Sequence, residues 1–531
     1  MENKYYVYLD SGICCAYHGI YLTDKVIRNN YVINEKRRIV SALHTEYNKN
    51  FCREHQINPI FLSRYCDCII VGADDKKVDN LKKDNRVKSI IPFTNKVPII
   101  HQTDIISRQI KSDSINGSHA PGFDGTRNGY LGNSVTVGAV SAQNLTYIPT
   151  SYQLKEPIRQ GKLFTLTNGE VEFKESVHSS VVAGILVGST AEYGGETYRG
   201  IVPESVLYIA PSFSVISMFE AVENCLDRGA QVINYSAGEF EADGNYDEFD
   251  RYIDTLIYNI GFLFVSSAGN SEYVSSPAMC FNGISVGNVQ TKSNSVQGKN
   301  PPYPMFFVSE DDCSAYIQDD NLPNKPDVAA PGTFIHYVDS EGDFDFARYG
   351  TSFSAPYVTG TAAQIIQKNP DVKIYPALLK AILLCGADSM AISTENNNTI
   401  GKNNILRKKS GAGFIDSASS LTINDYYNGE FLRNSELIQT SISIELSKGE
   451  RIRTVLCYLK TPGDLSENSE DAILEFYLPS GRLVLSSDDK KENVKIFEYT
   501  AEQTGVYTIS VKAADFGTSD RITYGVAYKK Y

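Results

Sequence analysis

The stretch Gly350-Thr351-Ser352-Phe353-Ser354-Ala355-Pro356, which runs on through residue 367 with small and apolar side chains at helical spacing, decides how this chain reads. Small residues let the first turn of a helix pack closely, and a serine there sits in the field of free backbone N–H groups. A serine hydroxyl alone is a weak nucleophile; it needs a base to take its proton and a donor to hold the oxyanion. A candidate base lies upstream in Val177-His178-Ser179-Ser180-Val181-Val182-Ala183-Gly184, where a histidine opens another small-and-apolar helical run. A candidate donor, Asn270, follows an apolar strand at 262–265 through Ser266-Ser267-Ala268-Gly269. Each alone also reads as a packed serine, a helix-capping histidine or a turn asparagine.

Together and in this order the motifs resemble those of the subtilisin-like serine proteases. Ser352 matches that family's nucleophile in Gly-Thr-Ser-x-x-x-Pro, His178 its base, and Asn270 in Ser-Ala-Gly-Asn its oxyanion donor. Connecting segments match as well: Gly200-Ile201-Val202-Pro203, Val232-Ile233-Asn234-Tyr235-Ser236-Ala237-Gly238, Lys325-Pro326-Asp327-Val328-Ala329-Ala330-Pro331-Gly332 and Gly411-Ala412-Gly413. The base motif departs from the family at Ser179, Ser180 and Val181, where Gly-Thr-His is usual. The resemblance implies an α/β parallel-sheet catalytic domain at 129–424, a serine endopeptidase working through an acyl-enzyme, and Ser236, Ala237 and Gly238 as the edge on which extended peptide substrate pairs. No cofactor is required by that chemistry.

The acid of a Ser-His-Asp triad fixes the histidine tautomer and stabilises the imidazolium. In the family it ends a strand, and the corresponding run here is Gly132-Asn133-Ser134-Val135-Thr136-Val137-Gly138-Ala139-Val140-Ser141. Ser141 stands at the aspartate position. It can accept a hydrogen bond but supplies no charge. Asp10, in Asp10-Ser11-Gly12, belongs to a different module and reads as a turn residue. The alternative to a working peptidase is therefore a pseudoprotease that binds extended peptides, or a partner protease, without efficient turnover.

Residues 1–98 alternate strand and helix signals in the order β-α-β-β-α-β, the split arrangement of a ferredoxin-like α+β unit. Beside the catalytic motifs this module resembles the family's inhibitory, chaperone-like propeptide, its own partner in the chain. Residues 99–128 read as a linker, with the mature enzyme expected to begin near Gln102-Thr103-Asp104-Ile105-Ile106. From 435 to 531 the periodicity turns to short alternating strands between turn residues, predicting a jelly-roll-like β-sandwich.

Composition excludes other classes. The 531 residues carry 50 Lys and Arg against 63 Asp and Glu, a net charge of −13 that argues against a nucleic-acid partner. No apolar run is long enough for a membrane span, and the polar N-terminus lacks a signal-peptide core, which favours a cytoplasmic protein unless a leader has been removed. Ten cysteines without framework spacing read as reduced and buried. Asp311, Asp312, Asp319 and Asp320 form an acidic loop of the kind that could hold calcium, but without EF-hand spacing a solvated loop is expected.

Overall fold

The computed structural model describes residues 3–11, 13, 30–93, 98–99, 129–166, 173–193, 196–239, 242–291, 306–307, 314–338, 344–389, 392–393, 408–463 and 469–531. Most of the expected linker, the expected start of the mature enzyme, Asp311, Asp312 and three of the cysteines lie outside them. The seven described cysteines are all free and buried.

The N-terminal region folds as β1 (Asn3–Leu9), α1 (Asn30–Glu54), β2 (Pro59–Leu62), β3 (Cys68–Ala73), α2 (Asp75–Leu81) and β4 (Val87–Pro92), an antiparallel sheet in the order β2-β3-β1-β4. Asp74 starts α2 by accepting the Lys77 N–H, and Val78 and Leu81 are its buried positions. One sheet face closes over Val7, Phe51, Ile69 and Val71. The other presents Tyr6, Phe61 and Ile70 to the next domain and shares that domain's core. Beyond β4, β5 (Pro98–Ile99) belongs to a separate two-stranded ladder described with the site.

Among the described residues seven parallel strands form the body of a nine-stranded central sheet, whose other two are the short segments Phe306–Phe307 and Ile392–Ser393. In chain order the seven are β6 (Thr136–Ser141), β7 (Leu163–Thr165), β8 (Val206–Pro211), β9 (Val232–Tyr235), β11 (Leu263–Ser267), β12 (Ile284–Thr291) and β13 (Val328–Pro331). Their spatial order is β7-β8-β6-β9-β11-β12-β13. Helices α3 (Val177–Val187), α4 (Val215–Asp227), α5 (Glu248–Ile260) and α6 (Thr351–Lys368) cover it, with the short strand β10 (Gly238–Glu239) after β9. The strands read as near-continuous apolar runs because both faces are buried, as parallel sheets require. Helix α6 is buried along almost its whole length, packed against α3 and against β9, β11 and β12.

After α7 (Pro376–Gly386) the chain builds two four-stranded antiparallel sheets from β14 (Tyr426–Leu432), β15 (Gln439–Leu446), β16 (Arg451–Tyr458), β17 (Glu470–Tyr477), β18 (Leu483–Ser487), β19 (Val494–Thr500), β20 (Gly505–Phe516) and β21 (Arg521–Lys530). Their orders are β14-β21-β16-β19 and β15-β20-β17-β18, and side chains of both fill one core. Strand β14 precedes the expected start at 435. The first sheet lies on α7 so closely that a Cβ on Gly525 would come within 2.2 Å of Leu378 Cα.

Charge is buried where the catalytic-type domain meets these sheets. Asp327 lies between Lys325 at 2.8 Å and Lys380 at 2.9 Å and also accepts the Ser285 N–H at 2.8 Å. Burial alone would raise its carboxyl, but the two ammonium groups override that and hold it below its usual value. Asp327→Ala would leave two buried lysines short of their counter-charge, so unfolding free energy should fall by about 3–5 kcal/mol. Urea denaturation checks this; a loss below about 1 kcal/mol would mean that water reaches the lysines.

Candidate active site

Each candidate reaches the site from the end of an element. Ser352 is the second residue of α6, buried, with its carbonyl accepting the Ser236 hydroxyl at 2.7 Å. Ser236 in turn accepts from Asn234 Nδ2 at 2.8 Å, so the end of β9 is tied to the start of α6. His178 is the second residue of α3, and its ring packs on Phe353, the neighbour of Ser352, at 5.3 Å between centroids. Asn270 leaves β11 through Gly269, whose φ of +110° favours glycine.

Asn270 is held by its oxygen. Its Oδ1 accepts from both the backbone N–H and the hydroxyl of Thr351, each at 2.8 Å. The Thr351 oxygen also accepts the Gly269 N–H at 3.1 Å. With the amide oxygen engaged twice, the Nδ2 donor is left for an incoming carbonyl oxygen, as an oxyanion donor requires. Thr351 was legible only as part of the serine motif; its hold on Asn270 crosses 81 positions.

The histidine is differently placed. Both His178 ring nitrogens are buried without a hydrogen-bond partner, and no bond joins them to Ser352 or Ser141. Burial pushes the imidazole down to about 4, so it is neutral across the physiological range. Catalytic hydrogen bonds often tighten only when substrate is bound. Ser141 ends β6 as expected, but its hydroxyl bonds Ser179 Oγ at 3.0 Å, and its carbonyl accepts the Ser212 hydroxyl at 3.0 Å. Asp10 pairs with Lys88 at 3.2 Å inside the N-terminal region and takes no part.

The Gly238 end of the expected peptide edge is paired with the chain itself. β5 pairs antiparallel with β10, Ile99 opposite Gly238 and Pro98 opposite Glu239. Among the described residues no group of three or more His, Cys, Asp or Glu could hold a metal. Of the acidic loop, Asp319 accepts the Asn321 N–H and Asp320 pairs with Lys408.

Residues 165–413 match the Subtilase family, Peptidase S8. The likeness to subtilases lies within that segment, just under half of the chain. That match contains His178, Asn270 and Ser352, whereas Ser141 lies upstream of it. Among curated proteins, Serine protease AprX of Bacillus subtilis (strain 168) is 26% identical over 248 residues, 41% of this chain and 54% of that protein. Subtilisin-like protease 1 of Plasmodium berghei (strain Anka) is 26% identical over 218 residues, 37% of this chain and 33% of that protein. The chain thus spans about half, or less, of the length of these relatives. Among solved structures, the epidermin leader peptide processing serine protease EpiP of Staphylococcus aureus aligns with 79% of this chain and 98% of its own at 16% identity, with a TM-score of 0.47.

Proposed function

We propose that the chain is a serine endopeptidase in which Ser352 Oγ attacks the scissile carbonyl, His178 takes the hydroxyl proton and returns it to the leaving amine, and Asn270 Nδ2 holds the oxyanion. An acyl-enzyme on Ser352 then yields to water, with His178 again the base. The convergence of Ser352, His178, Asn270 and Thr351 around the first turn of α6 carries this reading. Residues 129–424 act as the catalytic domain. Residues 1–98 act as a ferredoxin-like inhibitory propeptide, a reading supported by β5 lying on the Gly238 edge. Residues 435–531, with β14, act as a supporting β-sandwich. The second reading, a pseudoprotease, is favoured by one observation: Ser141 at the acid position bonds Ser179 rather than His178.

A fluorophosphonate probe decides between them because it labels only an activated serine. Labelling of propeptide-free protein that disappears in Ser352→Ala supports the peptidase; no labelling of folded protein supports the binder. The pH profile carries a sign. A His178 value lowered to about 4 keeps the base form populated as pH falls, so labelling should stay level from neutral pH and drop only toward pH 4. A midpoint near 6.5 would show that solvent reaches the ring, and one well above it that a carboxylate faces the ring.

A further inference from the structure

Two positions at which the chain departs from the family pattern, Ser141 and Ser179, touch each other. Their hydroxyls are 3.0 Å apart although 38 residues separate them. Both are buried, Ser141 at the end of β6 and Ser179 in the first turn of α3. Beside the pair is a small cavity lined by Ala139, Val140, Ser141, His178, Ser179, Val182, Ile209 and Ser236, with about 10 Å³ of room for the centre of a water-sized sphere. That is about the minimum for one water and too little for a carboxylate. Among the described residues His178, whose two ring nitrogens have no other partner, is the only titratable group in its wall. The Ser236 hydroxyl is already committed to Ser352 O and Asn234.

We propose that Ser179 is a positioning residue of this site, holding the Ser141 hydroxyl away from His178, and that one water in the cavity accepts a His178 ring N–H and donates to Ser141 Oγ. The inference rests on the peptidase reading for its catalytic meaning but not for its geometry. The serine pair and the water replace the triad acid with a neutral acceptor. They orient the imidazole without a charge to stabilise its protonated form. The replacement is also guarded. An aspartate put at 141 meets the Ser179 hydroxyl at hydrogen-bond distance, and a carboxylate bonded to that hydroxyl in a one-water cavity is kept from His178.

The test follows His178 by NMR titration of its ring signals in the full chain, for wild type, Ser141→Asp, Ser179→Ala and the double variant. Ser141→Asp alone should leave the midpoint within about half a unit of wild type, whereas Ser141→Asp with Ser179→Ala should raise it by at least about one unit, tenfold in the protonation constant. Two results would overturn the proposal: a single Ser141→Asp change that raises the midpoint as far as the double, or a double that does not raise it. Ser179→Gly serves as a second opening variant with more room, and Ser141→Asn with Ser179→Ala as a control of equal shape without charge, expected to leave the midpoint in place. A high-resolution crystal structure of wild type should place one water between His178 and Ser141; Ser141 Oγ bonded directly to His178, or a dry cavity, would count against it. Fluorophosphonate labelling of the same variants is a separate readout. Midpoints that move as expected with no labelling in any variant would sink the peptidase reading and leave the positioning role of Ser179 intact.

Discussion

Intact-mass analysis of the purified wild-type chain should show an N-terminal fragment of about 100 residues, made by an intramolecular cut with its high effective molarity, and Ser352→Ala should show full length alone. The expected cut lies between 94 and 119, because β4 ends at Pro92 and β5 already lies antiparallel on Gly238 and Glu239, just after Ser236, whose hydroxyl bonds Ser352 O. On the peptidase reading, this pairing would lead the chain's own peptide toward Ser352. Removing the acid from a subtilisin-type triad costs about 3 × 10⁴ in kcat, against about 2 × 10⁶ for the nucleophile or the base. An effective molarity at the low end of the intramolecular range, roughly 10⁵ M, exceeds the first loss and falls short of the second. On the peptidase reading, a site with serine at 141 would cut its own chain once and turn over external peptides feebly. Cleavage in both proteins would point to another protease, and full-length wild type would remove self-processing from the account.

The candidate motifs could be read because each is local. A nucleophile at a helix start, a histidine at a helix start and an asparagine after a strand are short patterns, and the structure brings all three to one turn. The tie between Ser141 and Ser179 could not be read, since nothing in either segment marks the other as its partner. Helix α1 shows the same limit. Spacing picks Ile39, Leu43, Tyr47 and Phe51 as its inward face, yet Ile39 and Leu43 are 50% and 49% exposed. The buried face carries Arg37, His44 and Asn48. Arg37 Nη1 donates to Ala230 O at 2.7 Å, His44 Nδ1 meets Asp67 at 2.8 Å, and Asn48 Nδ2 donates to Ser63 O and Cys66 O. Hydropathy counts such residues as outward, and only their distant partners make burial affordable. Strand β14 was hidden by Asn428-Gly429, which reads as a turn but pairs in mid-strand, with Gly429 leaving space for the Tyr524 ring.

Arg64→Glu should release the N-terminal region from the parallel-sheet domain. The contact centres on Glu223 of α4, which is buried and accepts the Ser63 hydroxyl at 2.6 Å, the Tyr252 hydroxyl at 2.7 Å, the Arg64 N–H at 2.9 Å and Arg64 Nε at 3.1 Å. Around it, Tyr65 donates to Asp227 at 2.6 Å, Phe219 stacks on Tyr252 at 3.6 Å, and Phe61 packs on Phe219 at 5.6 Å. A glutamate at 64 would put like charge against a buried carboxylate. Removing one partner of a buried charged pair costs about 2–5 kcal/mol, and the low end applies because Arg64 is 34% exposed on its side chain, so docking should weaken by at least about 30-fold. The wild-type contact should also depend on pH in a defined direction. Burial raises the Glu223 carboxyl despite the opposing pull of Arg64, so the docked state binds more protons than the undocked one. Docking is then strongest below the carboxyl's free value and weakens as pH rises through its docked value, with no further change above. Limited trypsin digestion of the full chain, scored at the lysines of α2, reads both effects. Arg64→Glu should be cut faster at every pH, and Glu223→Gln should lose the acid-side protection while keeping the neutral-pH fold. Equal protection of Arg64→Glu and wild type would show that the aromatic contact holds the region alone, and a pH slope that survives Glu223→Gln would place the titrating group elsewhere.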